Sequence, residues 1–388
     1  MDPAVTAPGS AAAVGSIRTT APARRKVILI AGGGTGGHLM PALAIAEALR
    51  AAAPGIEPVL VGATRGVEAR VLPTRDFRYH LLPAEPIYRR AWWKNVRWPL
   101  IASRLIGAVG RVYAAERPVA VLGTGGYASG PVVWFARGRG IPSAVQEQNA
   151  YPGLATRWLA RRVNHIYLGL PEAKQLLKPG RATEVFDTGN PIVPPDPSRR
   201  AAGMRRFSLD GSRPVVLVTG GSQGALAINR SVADWIRARG QGNAVVIWVT
   251  GRGTHGEFTA LHAPPDVHVI DFLDPMADAY AVSDLVLSRA GMITVAEICA
   301  WGLPSVLVPL PTAAADHQTH NARAMAEAGA AAILPQAQMI SEGVGGVLGR
   351  LLANGAEREA MAAAARARGR PQAARDIVSL LLTLVPPA

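Results

Sequence analysis

The apolar positions of the chain fall into short dense runs that end in glycine. Longer stretches follow in which apolar residues recur every three or four positions. Val27 to Ala31 runs into "GGGTGGH", and a helical pattern covers Met40 to Ala52. That is the order strand, glycine-rich loop, helix. "PVLVGA" (58–63), "VAVLGTGG" (119–126) and "IPSAVQEQ" (141–148) read as further strands. Continuous apolar strands alternating with helices predict a parallel sheet covered on both faces. "PIVPPDPSRR" (191–200), with four prolines, interrupts the series and reads as a linker. The pattern then restarts with "RPVVLVTGGSQGALAIN" (213–229) and continues through "AVVIWVTG", "VHVIDFL", "SDLVLSRAG" and "PSVLVPLP". The prediction is an α/β protein of two doubly wound domains, 26–190 and 191–371, behind a flexible tail, 1–25. The apolar helix within 372–388 is expected to return onto the first domain. Ligands of such sheets bind beyond the carboxyl ends of the strands, here in the cleft between the domains.

Charge separates the two halves. Of the formal net charge of +14, residues 1–190 carry 24 Lys+Arg against 11 Asp+Glu, and residues 191–388 carry 17 against 16. The first half is suited to a polyanion or an anionic surface. Its densest segment, "YRRAWWKNVRWPL" (88–100), sets Arg89, Arg90, Lys94 and Arg97 among Trp92, Trp93 and Trp98. Interleaved cations and aromatics fit single-stranded nucleic acid, a membrane interface or a plain charged helix face. One cysteine, Cys299, excludes an internal disulfide framework and points to a reducing compartment. It reads as a small buried residue. The first 25 residues hold no signal-peptide core, and the longest apolar candidate, Pro99 to Ala115, is broken by Arg104 and Arg111.

The glycine loops carry the chemistry. "GGGTGG" satisfies G-x-G-x-x-G through Gly32, Gly34 and Gly37. A dinucleotide site also needs an acid where the second strand ends, but that strand has Glu57 at its start and exits through Gly62-Ala63-Thr64-Arg65. What remains is a set of backbone N–H groups at a helix start, an anion or hydroxyl site. His38 sits at that helix end, where imidazolium is disfavoured. A neutral ring there serves either as a general base or as a hydrogen-bond partner of the loop. In the second half, "GGSQGA" offers Ser222 beside loop amides, and "SRAGMITVAE" opens a second helix with Glu297 about two turns in. Glu297 suits either ribose hydroxyls or a solvated face. Gln318 and Asn321 in "DHQTHNARA" share a helical face, and amides suit sugar hydroxyls. These features describe a nucleotide-sugar pocket. No Asp-x-Asp occurs, so a diphosphate is expected to be held by helix N-termini and hydroxyls rather than by a carboxylate-bound Mg²⁺.

Taken together, "GGGTGGHLMPALAIAEAL", "LGTGGYASGP", "QEQNAYPG", "GNPI", "GGSQGA", "SRAGMITVAE" and "DHQTHNA" resemble, in order and spacing, the MurG family of N-acetylglucosaminyltransferases, from about Lys26 to the C-terminus. The resemblance implies the GT-B fold, two Rossmann-like domains with a cleft. It implies inverting, metal-independent transfer of GlcNAc from UDP-GlcNAc to the C4 hydroxyl of MurNAc in lipid I, giving lipid II at the cytoplasmic face of the bacterial membrane. No cofactor is implied. His38 matches the family's base, and Thr35, Gly36 and Gly37 the loop that touches the donor. Asn149 matches a donor contact and Ser222 a position near the diphosphate. Leu273 matches the residue whose backbone meets the uracil. Met292, Ile293, Thr294, Val295, Ala296 and Glu297 match the nucleotide-binding turn, with Glu297 on the ribose. Gln318 matches a contact to the GlcNAc hydroxyls, and Tyr127 and Glu147 fall in the acceptor region. Two positions depart. Gln146 stands where the family usually has His, and Val193 where it usually has Arg, leaving Arg199 or Arg200 as replacements for that cation.

The alternatives are a transferase for another lipid such as diacylglycerol, a UDP-GlcNAc 2-epimerase, and a nucleic-acid module. An epimerase needs several acids near the anomeric centre, and the first half shows no such cluster. A nucleic-acid module leaves the second pocket unexplained. The partners implied are therefore UDP-GlcNAc, undecaprenyl-linked lipid I and an anionic membrane surface, not nucleic acid. Arg89, Arg90, Trp92, Trp93, Lys94 and Arg97 are assigned to the membrane contact.

Overall fold

The computed structural model describes residues 25–85, 98–221 and 224–387. The cluster Arg89, Arg90, Trp92, Trp93, Lys94 and Arg97 lies outside the described residues, as does Ser222.

Two parallel sheets form the core. The first has strands β1 (Lys26–Ala31), β2 (Ile56–Ala63), β3 (Arg78–Leu82), β4 (Ala120–Gly123), β5 (Ser143–Glu147), β6 (His165–Leu168) and β7 (Glu184–Asp187), in the order β3-β2-β1-β4-β5-β6-β7. The second has β8 (Val215–Thr219), β9 (Val245–Val249), β10 (Val267–Ile270), β11 (Leu285–Ser288), β12 (Ser305–Leu307) and β13 (Ala331–Ile333), in the order β10-β9-β8-β11-β12-β13. Strand order reverses at β1/β4 in one sheet and at β8/β11 in the other. This is the doubly wound GT-B arrangement, two Rossmann-like units, and those reversals are where such sheets open a crevice.

The strands are apolar throughout because both faces are covered. In β1, Val27, Leu29 and Ala31 enter one core while Ile28 and Ile30 enter another. In β8, Val216 and Val218 face one way, Val215 and Leu217 the other. The helix after β1 spans Gly36–Ala52, starting four residues before the Met40 read from periodicity. That earlier start places His38 in its first turn.

A fifth apolar cluster joins the units. Ala150 and Leu170 from the first meet Ala290, Met292, Val295, Cys299 and Met325 from the second. Burial pushes the Cys299 thiol up to about 11, so it is an unreactive packing residue. The chain crosses between units twice. After residue 187 it passes to the second sheet, and after the helix Gly355–Arg368 it returns. The returning helix Ala373–Leu382 buries Ile377, Val378 and Leu381 beside Leu39, Leu43 and Leu49 of the Gly36–Ala52 helix. Each such side chain contributes about 1.5–3 kcal/mol of transfer free energy. The two crossings touch. Gly189 has φ +81°, and a Cβ there would come within 2.3 Å of the Arg370 Cβ. Beside them, Arg368 Nη2 lies 2.5 Å from Glu172 Oε1, an ion pair between the units.

Candidate active site

The four loops of chemical interest leave the four strands at the two reversals. Gly32–Gly37 follows β1 and Thr124–Tyr127 follows β4. In the second unit Gly220 and Gly221 follow β8 and Arg289–Gly291 follows β11. The fold therefore brings together residues some ninety positions apart in sequence.

His38 is built into the first pair of loops. Its Nδ1 lies 3.1 Å from Thr35 Oγ1, and the ring donates to the Gly33 carbonyl. Its backbone is pinned by Thr124, whose Oγ1 donates to the His38 carbonyl at 2.8 Å. The imidazole lies against the Gly125–Gly126 turn. Both glycines have positive φ, +97° and +82°, and a Cβ on Gly125 would meet His38 Cδ2 at 2.6 Å. The residue as a whole is half-buried, and its pKa is lowered to about 4. Loss of solvation is the largest cause and the charge of His317, from the second unit, the next. The hydrogen bond to Gly33 opposes both. Thr35 and Gly37 are exposed, and nothing lies within 4 Å of where a Cβ on Gly36 would point. Tyr127 rests its ring edge on Gly34, whose φ of +95° only glycine tolerates readily.

The segment after β5 is a buried network. Glu147 is 3 % exposed, and its carboxylate accepts from the backbone N–H of Asn149 and Gly153, at 3.1 and 2.9 Å, and from the Asn149 side chain. It shapes its own loop. Gln146 donates to Asn190 at 3.0 Å and accepts from Gln148, which also donates to the Thr124 carbonyl. A group that cannot titrate thus links the loop after β4 to the start of the crossing. Asn149 Oδ1 accepts from Asn321 Nδ2 of the second unit at 3.1 Å, and Asn321 Oδ1 accepts from the Ala150 N–H at 2.9 Å. Tyr151 stacks on His320 with centroids 4.9 Å apart. The sequence reading groups Asn321 with Gln318 as a sugar ligand. The structure corrects this, because Asn321 is fully buried and both ends of its amide are spent joining the units.

In the second unit, Gly291 precedes the helix Met292–Trp301, whose first N–H groups receive no side-chain cap. Met292 and Val295 point into the joint between units, while Ile293, Thr294, Ala296 and Glu297 remain partly exposed. Glu297 Oε2 accepts from the Tyr280 hydroxyl at 3.0 Å. Burial raises the Glu297 pKa against that bond, and burial beside Glu297 raises Tyr280 further from its ordinary value. Leu273 is 2 % exposed and packed in the core, so only its backbone is available to a ligand. Gln318 Oε1 accepts from the Leu310 N–H at 3.0 Å. Val193 is 72 % exposed. Neither nearby arginine stands in for a cation there. Arg199 pairs with Asp278 at 2.6 Å, and Arg200 donates to the Ala281 carbonyl at 3.0 Å.

Three residues absent from the sequence reading matter to this geometry. Arg289 donates to the Val308 and Pro309 carbonyls and to Gln336, holding the loop that leads to Leu310 and Gln318. Tyr280 orients Glu297. Glu68 lies buried under the first glycine loop. Arg289 was visible within "SRAG"; the other two carry no local signal. Among the described residues no group of three His, Cys, Asp or Glu side chains could hold a metal ion.

Residues 28–168 match the model of the glycosyltransferase family 28 N-terminal domain, and residues 215–377 that of its C-terminal domain. A curated relative from Salinibacter ruber is 40 % identical over 367 residues, 92 % of this chain and 96 % of its own length. It is named UDP-N-acetylglucosamine–N-acetylmuramyl-(pentapeptide) pyrophosphoryl-undecaprenol N-acetylglucosamine transferase. The crystal structure of Acinetobacter baumannii MurG superposes with a TM-score of 0.73 at 28 % identity, covering 92 % of this chain and 99 % of that one. The glycotransferase of kitacinnamycin, at 17 % identity and a TM-score of 0.67 over 94 % of this chain and 100 % of that one, shares the fold alone. Matching domains over both sheets and near-complete coverage of the Salinibacter relative place the chain in glycosyltransferase family 28, within the MurG family.

Proposed function

We infer that the chain is an inverting N-acetylglucosaminyltransferase that moves GlcNAc from UDP-GlcNAc to the C4 hydroxyl of MurNAc in lipid I, forming lipid II. The observation that carries this reading is His38. It is a neutral imidazole at the reversal of the first sheet, near enough to the second unit to sense the charge of His317. Nδ1 is engaged within the loop, which leaves Nε2 as the base. Nε2 takes the proton of the acceptor hydroxyl as its oxygen attacks C1 of the sugar from the face opposite the diphosphate. The C4–O–C1 bond forms, the C1–O bond to phosphate breaks, and the electron pair leaves on UDP. The uncapped start of the Met292–Trp301 helix is suited to receive that charge. On this reading the transfer needs no metal. Tyr280 holds one oxygen of Glu297 and so presents the other to the ribose. Thr35, Gly36, Gly37, Asn149 and the Leu273 backbone complete the donor site. Gln318 supports the GlcNAc hydroxyls, and Tyr127, over the loop that carries His38, lies on the acceptor side.

Epimerase chemistry is disfavoured by where the first-unit acids are. Glu68 and Glu147 are 0 % and 3 % exposed, Glu68 accepting from the Gly34 N–H and Glu147 from those of Asn149 and Gly153.

The acceptor is lipid-linked, and the first unit is the side we assign to the membrane. Its sequence carries the basic-aromatic segment 88–97, and among the described residues it exposes Leu100, Ile106, Trp134, Leu154 and Trp158, with Arg162 lying 4.7 Å over the Trp158 ring. Cations set among such groups suit anionic headgroups at about 1 kcal/mol each. Among the described residues no helix is long and apolar enough to cross a membrane. The test is transfer of radiolabelled GlcNAc to lipid I and to diacylglycerol in parallel. Product with lipid I alone supports the assignment, and product with diacylglycerol alone overturns it.

A further inference from the structure

Glu68 opens the short helix Glu68–Val71 after β2, and its side chain is completely buried. Glycines make room for it. A Cβ on Gly33 or Gly66 would fall within 2 Å of a carboxylate oxygen, and one on Gly62 within 3 Å of the side-chain stem. Oε1 accepts from the Gly34 N–H, and Oε2 is buried with no hydrogen-bond partner. A fully buried carboxyl group with one oxygen unmatched is costly, so packing alone does not account for it.

One peptide group carries the two contacts that matter. The N–H between Gly33 and Gly34 meets Glu68, and the carbonyl of that same peptide accepts from the His38 ring. We propose that Glu68 is a positioning residue for His38: its carboxylate holds and polarises the Gly33–Gly34 peptide, whose carbonyl fixes the imidazole in one tautomer with Nε2 toward the cleft. Hydrogen bonds in series strengthen one another. Tyr127, against the other side of Gly34, keeps the peptide from turning away. During transfer the proton stops at His38. Glu68 takes none and touches neither substrate. The proposal deepens the reading of His38 as the base and rests on it.

Two readouts test it. The first is independent of any acceptor. Ring ¹⁵N shifts of His38 report one tautomer in the wild type and a mixture in Glu68→Ala, and unchanged shifts in Glu68→Ala overturn the proposal even if lipid I is not the substrate. The second is a double-mutant cycle on lipid I transfer. Glu68→Ala lowers kcat on the order of 100-fold, as a misplaced catalytic group does, while calorimetric affinity for UDP-GlcNAc, bound mainly by the second unit, stays within about twofold. In a His38→Ala background the same change costs less than about threefold more, because both act through one group. Glu68→Gln, which keeps an acceptor oxygen for Gly34, recovers kcat to within about tenfold of wild type. Losses that multiply in the cycle, or undiminished kcat in Glu68→Ala, contradict the proposal. Should Glu68→Ala fail to fold, Glu68→Asp, which withdraws the oxygen by one methylene, takes its place in both measurements with the same outcomes. A wild type inactive on lipid I but with one His38 tautomer that Glu68→Ala disturbs refutes the substrate and not the role of Glu68.

Discussion

The charge of His317 in the second unit bears on His38 of the first, adding to desolvation by burial in lowering the His38 pKa to about 4. An imidazole so held is neutral throughout the neutral range. The acid limb of kcat/KM belongs near pH 4 rather than near the 6.5 of an ordinary histidine. Replacing His317→Asn removes the like charge and moves the limb upward. Proton NMR titration of the His38 ring checks both, and a midpoint near 6.5 in the wild type contradicts the burial argument.

The same shift has a consequence for stability. The folded pKa lies below the unfolded one, so the unfolded chain binds the extra proton. The contribution is therefore fully present above about pH 6.5 and lost as pH falls toward about 4. In His38→Ala, urea stability falls less steeply across that window than in the wild type.

Asn321 joins the units through Ala150 and Asn149. Asn321→Ala strands a buried N–H at Ala150 and costs about 1–3 kcal/mol. Chemical denaturation measures the loss, and unchanged stability means the joint does not depend on this amide.

Gly125 admits the His38 ring. Gly125→Ala sets a Cβ 2.6 Å from Cδ2 at a φ of +97°. It lowers kcat by an order of magnitude or more while leaving UDP-GlcNAc affinity near wild type. Tyr280→Phe does the reverse. It frees Glu297 and weakens UDP binding by roughly 10-fold, the worth of a hydrogen bond to a charged group.

The two sheets were legible because parallel strands covered on both faces are apolar without alternation and end in glycine. The strands that escaped the reading did so for physical reasons. β3 and β7 are edge strands with exposed polar positions, β6 is only four residues in which His165 and Tyr167 alternate with Ile166 and Leu168, and β13 is three residues, Ala331–Ile333, rich in alanine and preceded by a helix. Likewise the glycine loops announced themselves, but their supports did not. Gly33, Gly62 and Gly66 enclose Glu68 only after folding, and nothing in "DHQTHNA" separates Gln318, beside Leu310, from Asn321, buried between the units.

The claim on which the rest depends is that His38 takes the acceptor proton. Single-turnover transfer of GlcNAc to lipid I by His38→Ala, with the enzyme saturated by UDP-GlcNAc, tests it most directly. The account predicts a rate lower by about 10²–10⁴-fold, and a rate within a few-fold of wild type contradicts it.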